Sequence, residues 1–155
     1  MDRIAGRLQE LELTLPAVPS PAGNYVPWRI SGNQLFLSGV LPLQDGQLTH
    51  AGAVGDAQTV ESGQAAARAC ALNAVAVIQA ALGSLDRVKQ FLFVGGYVLG
   101  VPGFADSPQV INGASDLFGA VFGEAGRHAR AAFSVSGLPR NATVEIQVIV
   151  EIEQG

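Results

Sequence analysis

One arginine and one glutamate stand out in the C-terminal part of this 155-residue chain, in which only 14% of residues are charged. Arg130 lies at the start of the apolar segment "RAAFSVS", and Glu145 lies in the next such segment, "TVEIQVIVEIE". A guanidinium can hold a carboxylate through two parallel N–H bonds, and a glutamate can accept and return a proton. Together the two side chains could bind and act on a small molecule that carries a carboxylate.

Both segments alternate in a way that predicts two β-strands joined as a hairpin. We expect Glu145 to face away from the helices, with Arg130, Ala132 and Ser134 on the same face. A register that pairs Ser134 with Glu145 leaves Arg130 about 13 Å along that face, at ~3.3 Å per residue, and a small carboxylate-bearing molecule could fill the gap. The alternative is that both charged groups are solvated surface residues, which is the more frequent role of an outward Arg and Glu.

The charge and hydropathy of the chain argue against nucleic acid and membranes as its partners. Nine basic residues stand against thirteen acidic ones, for a net charge of −4, and Lys and Arg form no run. This balance disfavours a nucleic-acid partner, which would need a basic surface. No uninterrupted apolar run approaches the roughly 18 to 20 residues of a spanning helix, and the N-terminal segment "MDRIAGRLQELELTLP" has no signal-peptide core. We therefore expect a cytoplasmic protein without a membrane partner.

Cysteine and histidine are scarce. Cys70 is the only cysteine, and His50 and His128 are the only histidines. The chain therefore cannot form an intrachain disulfide or a cysteine-based zinc site, and we predict no metal. His128 is interpreted as a loop histidine rather than a pocket residue. Because charge is so sparse while 48% of residues are hydrophobic, we expect other subunits to cover part of the surface.

The periodicity of the chain predicts one α+β domain over residues 20–155, preceded by an N-terminal extension over 1–19. "YVPWRI" and "QLFLSGV" are predicted to pair as strands. A helix is expected over about 59–82, capped by Thr59 and ended by Gly83. A central strand over 88–99 precedes a second helix, with Ser107 as its cap and Pro108 at its first position. The order is ββαβαββ, with the helices on one face of a mostly antiparallel or mixed sheet.

Several segments resemble the RidA/YjgF family of imine and enamine deaminases, whose older label is endoribonuclease L-PSP. They are "GNYVPW", "LFLSGVLP", "GFADSPQVINGASDLFGAVFG" and, most specifically, "HARAAFSVSGLPRNATVEIQVIVEI". The resemblance extends over about residues 20 to 152 and is to a longer branch of about 150 residues. It implies a chorismate-mutase-like fold and a homotrimer with an inner barrel. The active sites would lie in clefts between neighbouring subunits.

The resemblance also implies roles for individual residues. Arg130 would hold the substrate carboxylate, and Glu145 would position and deprotonate the attacking water. The remaining substrate-binding residues are Tyr25, which would close the cleft, Ser38 and Gly39, which would line it, Asn112, which is the weaker match, and Ala132. Many family members have cysteine where this chain has Ala132, so the resemblance leaves the substrate range and the level of activity open.

Three functions follow as hypotheses. The first is deamination of 2-imino or enamine acids to 2-keto acids and ammonia, without a cofactor. The second is a non-catalytic trimer that binds a small keto or imino acid. The third is a ribonuclease, against which the acidic balance argues.

Overall fold

A five-stranded mixed sheet with two long helices packed on one face forms the body of the molecule. The computed structural model describes residues 2–154. Its helices are α1 (Arg3–Glu10), α2 (Val60–Leu82) and α3 (Ser107–Phe122), and its strands are β1 (Trp28–Ser31), β2 (Gln34–Leu37), β3 (Leu43–Gln44), β4 (Gln47–Leu48), β5 (Val88–Leu99), β6 (Ala129–Val135) and β7 (Val144–Ile152). The α+β class and the predicted order of the main elements are confirmed, and α1 and the small β3–β4 hairpin are additions to them.

Strand pairing departs from the prediction at one point. The strand order is β1-β2-β7-β5-β6, so that β5 lies between β6 and β7. The pair β5–β6 is parallel, whereas β5–β7, β2–β7 and β1–β2 are antiparallel. The predicted β6–β7 hairpin is therefore wrong. Helix α3 carries the chain from β5 to a parallel neighbour, and residues 136–143 then pass β5 to reach its other edge.

Helix α2 begins and ends where the sequence predicts. The hydroxyl of Thr59 accepts a hydrogen bond from the Ser62 backbone N–H, and the Ser62 side chain accepts one from the Thr59 backbone. This reciprocal cap satisfies two of the free N–H groups at the helix start. At the other end, Gly83 has φ +80°, a conformation that stops a helix at little cost for glycine.

Helix α2 is apolar over most of its length. By length and hydropathy alone it could cross a membrane. However, 61% of its most apolar 18-residue window is buried inside the fold, as in a core helix. Its apolar positions face both the sheet and α3, which explains why they occupy a wide arc of the helix.

Helix α3 starts one residue earlier than predicted, because Asp106 occupies the cap position and Ser107 the first turn. The predicted core positions Val110, Ala114, Leu117 and Val121 are all buried. Helices α2 and α3 approach each other closely at Gly113, where a Cβ would overlap the carbonyl of Gln64.

The N-terminal helix α1 packs on its own chain. Ile4 and Leu8 are buried in the same hydrophobic core as the sheet and the long helices. The backbone N–H groups of Arg3 and Ile4 both donate to the Asp86 carboxylate, each at 2.8 Å. These hydrogen bonds lower the pKa of Asp86. The carboxylate of Asp86 therefore caps the start of α1 from a distant part of the sequence.

Candidate active site

Arg130 lies on the helix face of the sheet, where α3 holds its guanidinium. In the β5–β6 register Arg130 is opposite Val94, a fully buried core residue. Its Nη1 donates to Asn112 Oδ1 at 2.7 Å and to Ser115 Oγ at 3.1 Å, and its Nη2 donates to the Pro108 carbonyl at 3.2 Å. The expectation that Arg130 faces away from the helices is wrong, because β6 directs Phe133 rather than Arg130 to the face away from the helices, where Phe133 is 57% exposed.

The hydrogen bonds of Arg130 leave part of the guanidinium available. A guanidinium has five N–H donors. Two on Nη1 and one on Nη2 are used, so that Nε–H and one Nη2 hydrogen have no acceptor among residues 2–154. The side chain lines an open cavity of about 450 Å³ at the edge of the sheet. Two free donors on a fixed guanidinium suit a carboxylate ligand.

Ser115 and His128 also belong to the Arg130 cluster, although the sequence predicts neither as a site residue and places His128 in a loop. His128 does precede β6, but its Nε2 lies 2.9 Å from Ser115 Oγ and its Nδ1 lies 2.7 Å from the Gly126 carbonyl oxygen. Both residues line the same cavity as Arg130. For Ser115 the signal is spacing: Asn112 and Ser115 are three residues apart on one helix and therefore lie on one face of it, whereas no local pattern connects His128 to them.

Glu145 lies on the opposite face of the sheet from Arg130. It pairs with Tyr97 in the β5–β7 register, whereas its neighbours Val144 and Ile146 point into the core. This alternation along β7 was predicted correctly. The carboxylate accepts no hydrogen bond from any residue between 2 and 154, and burial of the half-buried side chain raises its pKa.

Gly39 gives the Glu145 carboxylate its space, because a Cβ at residue 39 would overlap Oε2 of Glu145. Tyr25, Ser38 and Gly39 line a cavity of about 90 Å³ beside it, together with Arg140. The Ser38 hydroxyl donates to the Val26 carbonyl at 2.6 Å and so fastens the arm before β1 to the end of β2. The predicted residues Tyr25, Ser38 and Gly39 thus line one cavity, and Gly39 brings that cavity next to Glu145.

The predicted site is divided within one chain. Arg130 and Asn112 form the second group, two strands away from Glu145 and on the other face, so that a small molecule cannot contact both groups of one chain. Ala132 lies opposite Gly96 and packs against the hydrophobic core. Cys70 is buried on α2, and burial raises the pKa of its thiol well above the usual value, with a further contribution from Glu145. Cys70 therefore cannot replace the family cysteine at position 132.

A metal centre has no support in the described part of the chain, residues 2–154. There, no three His, Cys, Asp or Glu side chains come together in a way that could hold a metal ion. Arg130 and His128 on one face of the sheet, and Tyr25 and Glu145 on the other, are groups suited to anion binding and proton transfer.

Comparison with known proteins relates this geometry to a family. The family model described as "YjgF/chorismate mutase-like, putative endoribonuclease" matches residues 5–152. Protein TCP17 of Trypanosoma cruzi is 50% identical over 151 residues, which cover 97% of this chain and 94% of that protein.

Solved structures share the arrangement of strands and helices. The protein Atu1372 of Agrobacterium tumefaciens, described as of unknown function, superposes with a TM-score of 0.90 at 48% identity, over 97% of this chain and 92% of that one. A protein of Shewanella oneidensis, described as a putative endoribonuclease, superposes with a TM-score of 0.93 at 37% identity, over 96% and 99%. RidA from an Antarctic Psychrobacter has a TM-score of 0.62 at 26% identity, over 87% and 94%.

Proposed function

Because this chain belongs to the YjgF/chorismate mutase-like family, we propose that it hydrolyses small 2-imino acids, and the enamines that tautomerise to them, to 2-keto acids and ammonia. The observation that carries the proposal is the hydrogen bonding of Arg130. Residues of α3 accept hydrogen bonds from three of its five N–H donors, and the other two donors remain free on a side chain that lines an open cavity. A 2-imino acid has a carboxylate that these two donors can bind.

The complete site requires two copies of the chain. Arg130 and Glu145 point to opposite faces of one sheet, and a site built from Arg130 of one subunit and Glu145 of its neighbour brings them to one substrate. The face that carries Glu145 also carries Phe133, which is 57% exposed, and Phe36, which is 37% exposed. Exposed aromatic side chains on a sheet suit a surface covered by other subunits. We infer a homotrimer whose sheets form an inner barrel, as the resemblance to the RidA family implies.

The proposed reaction needs only acid–base chemistry. Arg130 holds the carboxylate and so places the imine carbon beside the neighbouring subunit's carboxylate. With the imine nitrogen protonated, Glu145 takes a proton from water as the water oxygen bonds to that carbon, and the C=N electron pair moves to nitrogen, which gives a neutral carbinolamine. The protonated Glu145 then gives that proton to nitrogen. As the C–N bond breaks and ammonia leaves, the ionised Glu145 takes the proton of the carbinolamine hydroxyl, and the keto group forms. No covalent nucleophile is needed, so alanine at position 132 is compatible with this route.

The test is an assay in which an amino-acid oxidase or dehydratase generates 2-iminobutyrate and the disappearance of the imine is timed. We expect wild-type protein to accelerate the loss of imine and Arg130→Ala to abolish the acceleration. The matched control is Arg127→Ala. Arg127 lines the same cavity, but it is exposed and lies 3.7 Å from Glu124. This variant removes the same charge and should stay within about twofold of wild type. A fully active Arg130→Ala variant would refute the proposal.

The binding-only alternative has one observation in its favour, since Ala132 provides no polar atom where many relatives have a thiol. It predicts saturable binding of 2-oxobutyrate by calorimetry, dependent on Arg130, with no effect on the imine. A ribonuclease would instead need a basic surface, which a net charge of −4 does not favour.

A further inference from the structure

We propose that Ser115 and His128 are positioning residues that fix the Arg130 guanidinium in its carboxylate-binding orientation. The inference rests on the proposed function in one respect, because it takes Arg130 as the group that binds the carboxylate. Ser115 acts through its hydrogen bond to the arginine, and His128 acts through its hydrogen bond to Ser115.

The geometry is a chain of three hydrogen bonds that starts at the arginine. Arg130 Nη1 lies 3.1 Å from Ser115 Oγ, Ser115 Oγ lies 2.9 Å from His128 Nε2, and His128 Nδ1 lies 2.7 Å from the Gly126 carbonyl oxygen. The two ends of the chain fix its direction. The guanidinium can only donate and the carbonyl can only accept.

The direction of each hydrogen bond then follows. Nδ1 of His128 carries the proton that the Gly126 carbonyl accepts, so in the neutral ring Nε2 is an acceptor. The Ser115 hydroxyl donates to Nε2, which leaves a lone pair of Oγ for Arg130. Burial lowers the pKa of His128 and the charge of Arg130 lowers it further, while the bond to Gly126 acts in the opposite direction. The neutral ring is therefore the form that suits this cluster.

Packing holds the far end of the chain in place. The His128 ring meets the buried Phe118 ring edge-on, with centroids 5.9 Å apart. Gly126 lies so close to α3 that a Cβ would overlap the Phe118 carbonyl, and this close approach brings the Gly126 oxygen to the histidine. Ser115 and His128 are both partly buried, so water competes less for these bonds than at an exposed site.

These hydrogen bonds fix the orientation of the Arg130 guanidinium. Asn112 and Ser115 occupy both hydrogens of Nη1, and Pro108 takes one hydrogen of Nη2. With all three contacts made, the plane and orientation of the guanidinium are defined. Loss of the Ser115 contact leaves the group free to pivot about the other two, so carboxylate binding should weaken while the chemistry at the imine carbon is little changed.

The experiment uses paired variants of the full chain. Ser115→Ala removes the hydroxyl and Ser115→Thr keeps it. His128→Asn keeps a polar group at the Nδ1 position but removes the acceptor at Nε2, whereas His128→Gln keeps an acceptor near Nε2. For each variant we would measure KM and kcat for 2-iminobutyrate, the Kd for 2-oxobutyrate by calorimetry, and thermal unfolding.

We expect Ser115→Ala and His128→Asn to raise KM and Kd by about tenfold, as loss of one charge-assisted hydrogen bond suggests, with kcat within about twofold. Ser115→Thr and His128→Gln should stay close to wild type. An unchanged Kd in Ser115→Ala, or equal damage in His128→Gln and His128→Asn, would overturn the inference.

The Kd measurement separates this inference from the proposed function. If wild type binds 2-oxobutyrate through Arg130 but does not accelerate imine loss, the deaminase proposal fails and the positioning role is still decided by the four Kd values. If wild type shows neither turnover nor Arg130-dependent binding, both are overturned.

Discussion

At the scale of single residues, the proposed role of the half-buried Glu145 carboxylate links activity to stability. Its pKa is raised by burial, and it has no hydrogen-bond donor within residues 2–154. A group whose pKa is raised on folding contributes stability below its unfolded pKa and loses that contribution as pH rises through the folded value. The ionised form that the proposed reaction needs is therefore the form that destabilises the fold.

We predict that Glu145→Gln lowers kcat by about 10² to 10⁴, because the proton acceptor is lost, and raises the melting temperature at pH 7. The gain in melting temperature should shrink as pH falls through the raised pKa, and it should be smallest below the ordinary value of 4.5, where wild-type Glu145 is also neutral. Thermal unfolding and steady-state rates between pH 4 and about pH 8 check both parts.

Glu151→Gln is the control for this prediction, since Glu151 is on the same strand and accepts hydrogen bonds from Asn33 and Gln90, each at 3.3 Å. It should not raise the melting temperature at pH 7. A destabilised Glu145→Gln protein at pH 7 would contradict the assigned burial effect.

The sequence alone shows which residues have side chains suited to a site, but it does not show which of them lie next to one another in the fold. The alternation in β7 correctly placed Glu145 away from the helices. Arg130 was placed on the wrong face, because alternation divides β6 into two faces without showing which one meets the helices, and the apolar Phe133 lies exposed on the face that carries Glu145. His128 and Ser115 are thirteen residues apart in sequence, and only the packing of α3 on β6 brings them together.

At the scale of elements, the contact between α2 and α3 depends on Gly113. We predict that Gly113→Ala destabilises the protein, because the Cβ would overlap the Gln64 carbonyl and the helices would have to separate. The cost of such overpacking is about 1 to 3 kcal/mol, and it exceeds the helix-propensity gain of alanine over glycine. The expected fall in melting temperature is roughly 2 to 10 °C.

Gly119→Ala provides the comparison within the same helix, since nothing lies within 4 Å of a Cβ at that position. At this position only the higher helix propensity of alanine matters, so the free energy of unfolding should rise by up to about 1 kcal/mol. Chemical denaturation of both variants would measure the two effects with opposite sign, and a stabilised Gly113→Ala protein would show that α2 and α3 can separate freely.

The limits of helices and strands are easier to predict than the order in which the strands pair, because the limits depend on local signals and the pairing does not. Helix α2 is bounded by local signals, namely the reciprocal cap of Thr59 and Ser62 and the positive φ of Gly83, and its limits follow from a few neighbouring residues. The position of β5 between β6 and β7 depends on contacts across the whole chain. The sequence of residues 136–143 does not show whether this segment forms a hairpin that pairs β6 with β7 or carries the chain past β5 to its other edge.

At the scale of the whole molecule, the separation of Arg130 from Glu145 predicts complementation between inactive variants. Arg130→Ala retains Glu145, and Glu145→Gln retains Arg130. If a site uses Arg130 of one subunit and Glu145 of the next, mixed assemblies contain intact sites although neither parent has any. Random mixing at equal concentrations makes one boundary in four intact, so about a quarter of wild-type activity should return.

The two variants are to be unfolded together, refolded and assayed for imine hydrolysis, because subunits must exchange before mixed boundaries can form. The double variant Arg130→Ala/Glu145→Gln, refolded with Arg130→Ala, supplies no arginine and should stay inactive. Simple mixing without unfolding should recover activity only as fast as subunits exchange. If the refolded mixture of the two single variants remained inactive while refolded wild type regained full activity, the site would lie within one chain. The exposed face around Phe133 would then need another explanation than catalysis across a subunit boundary.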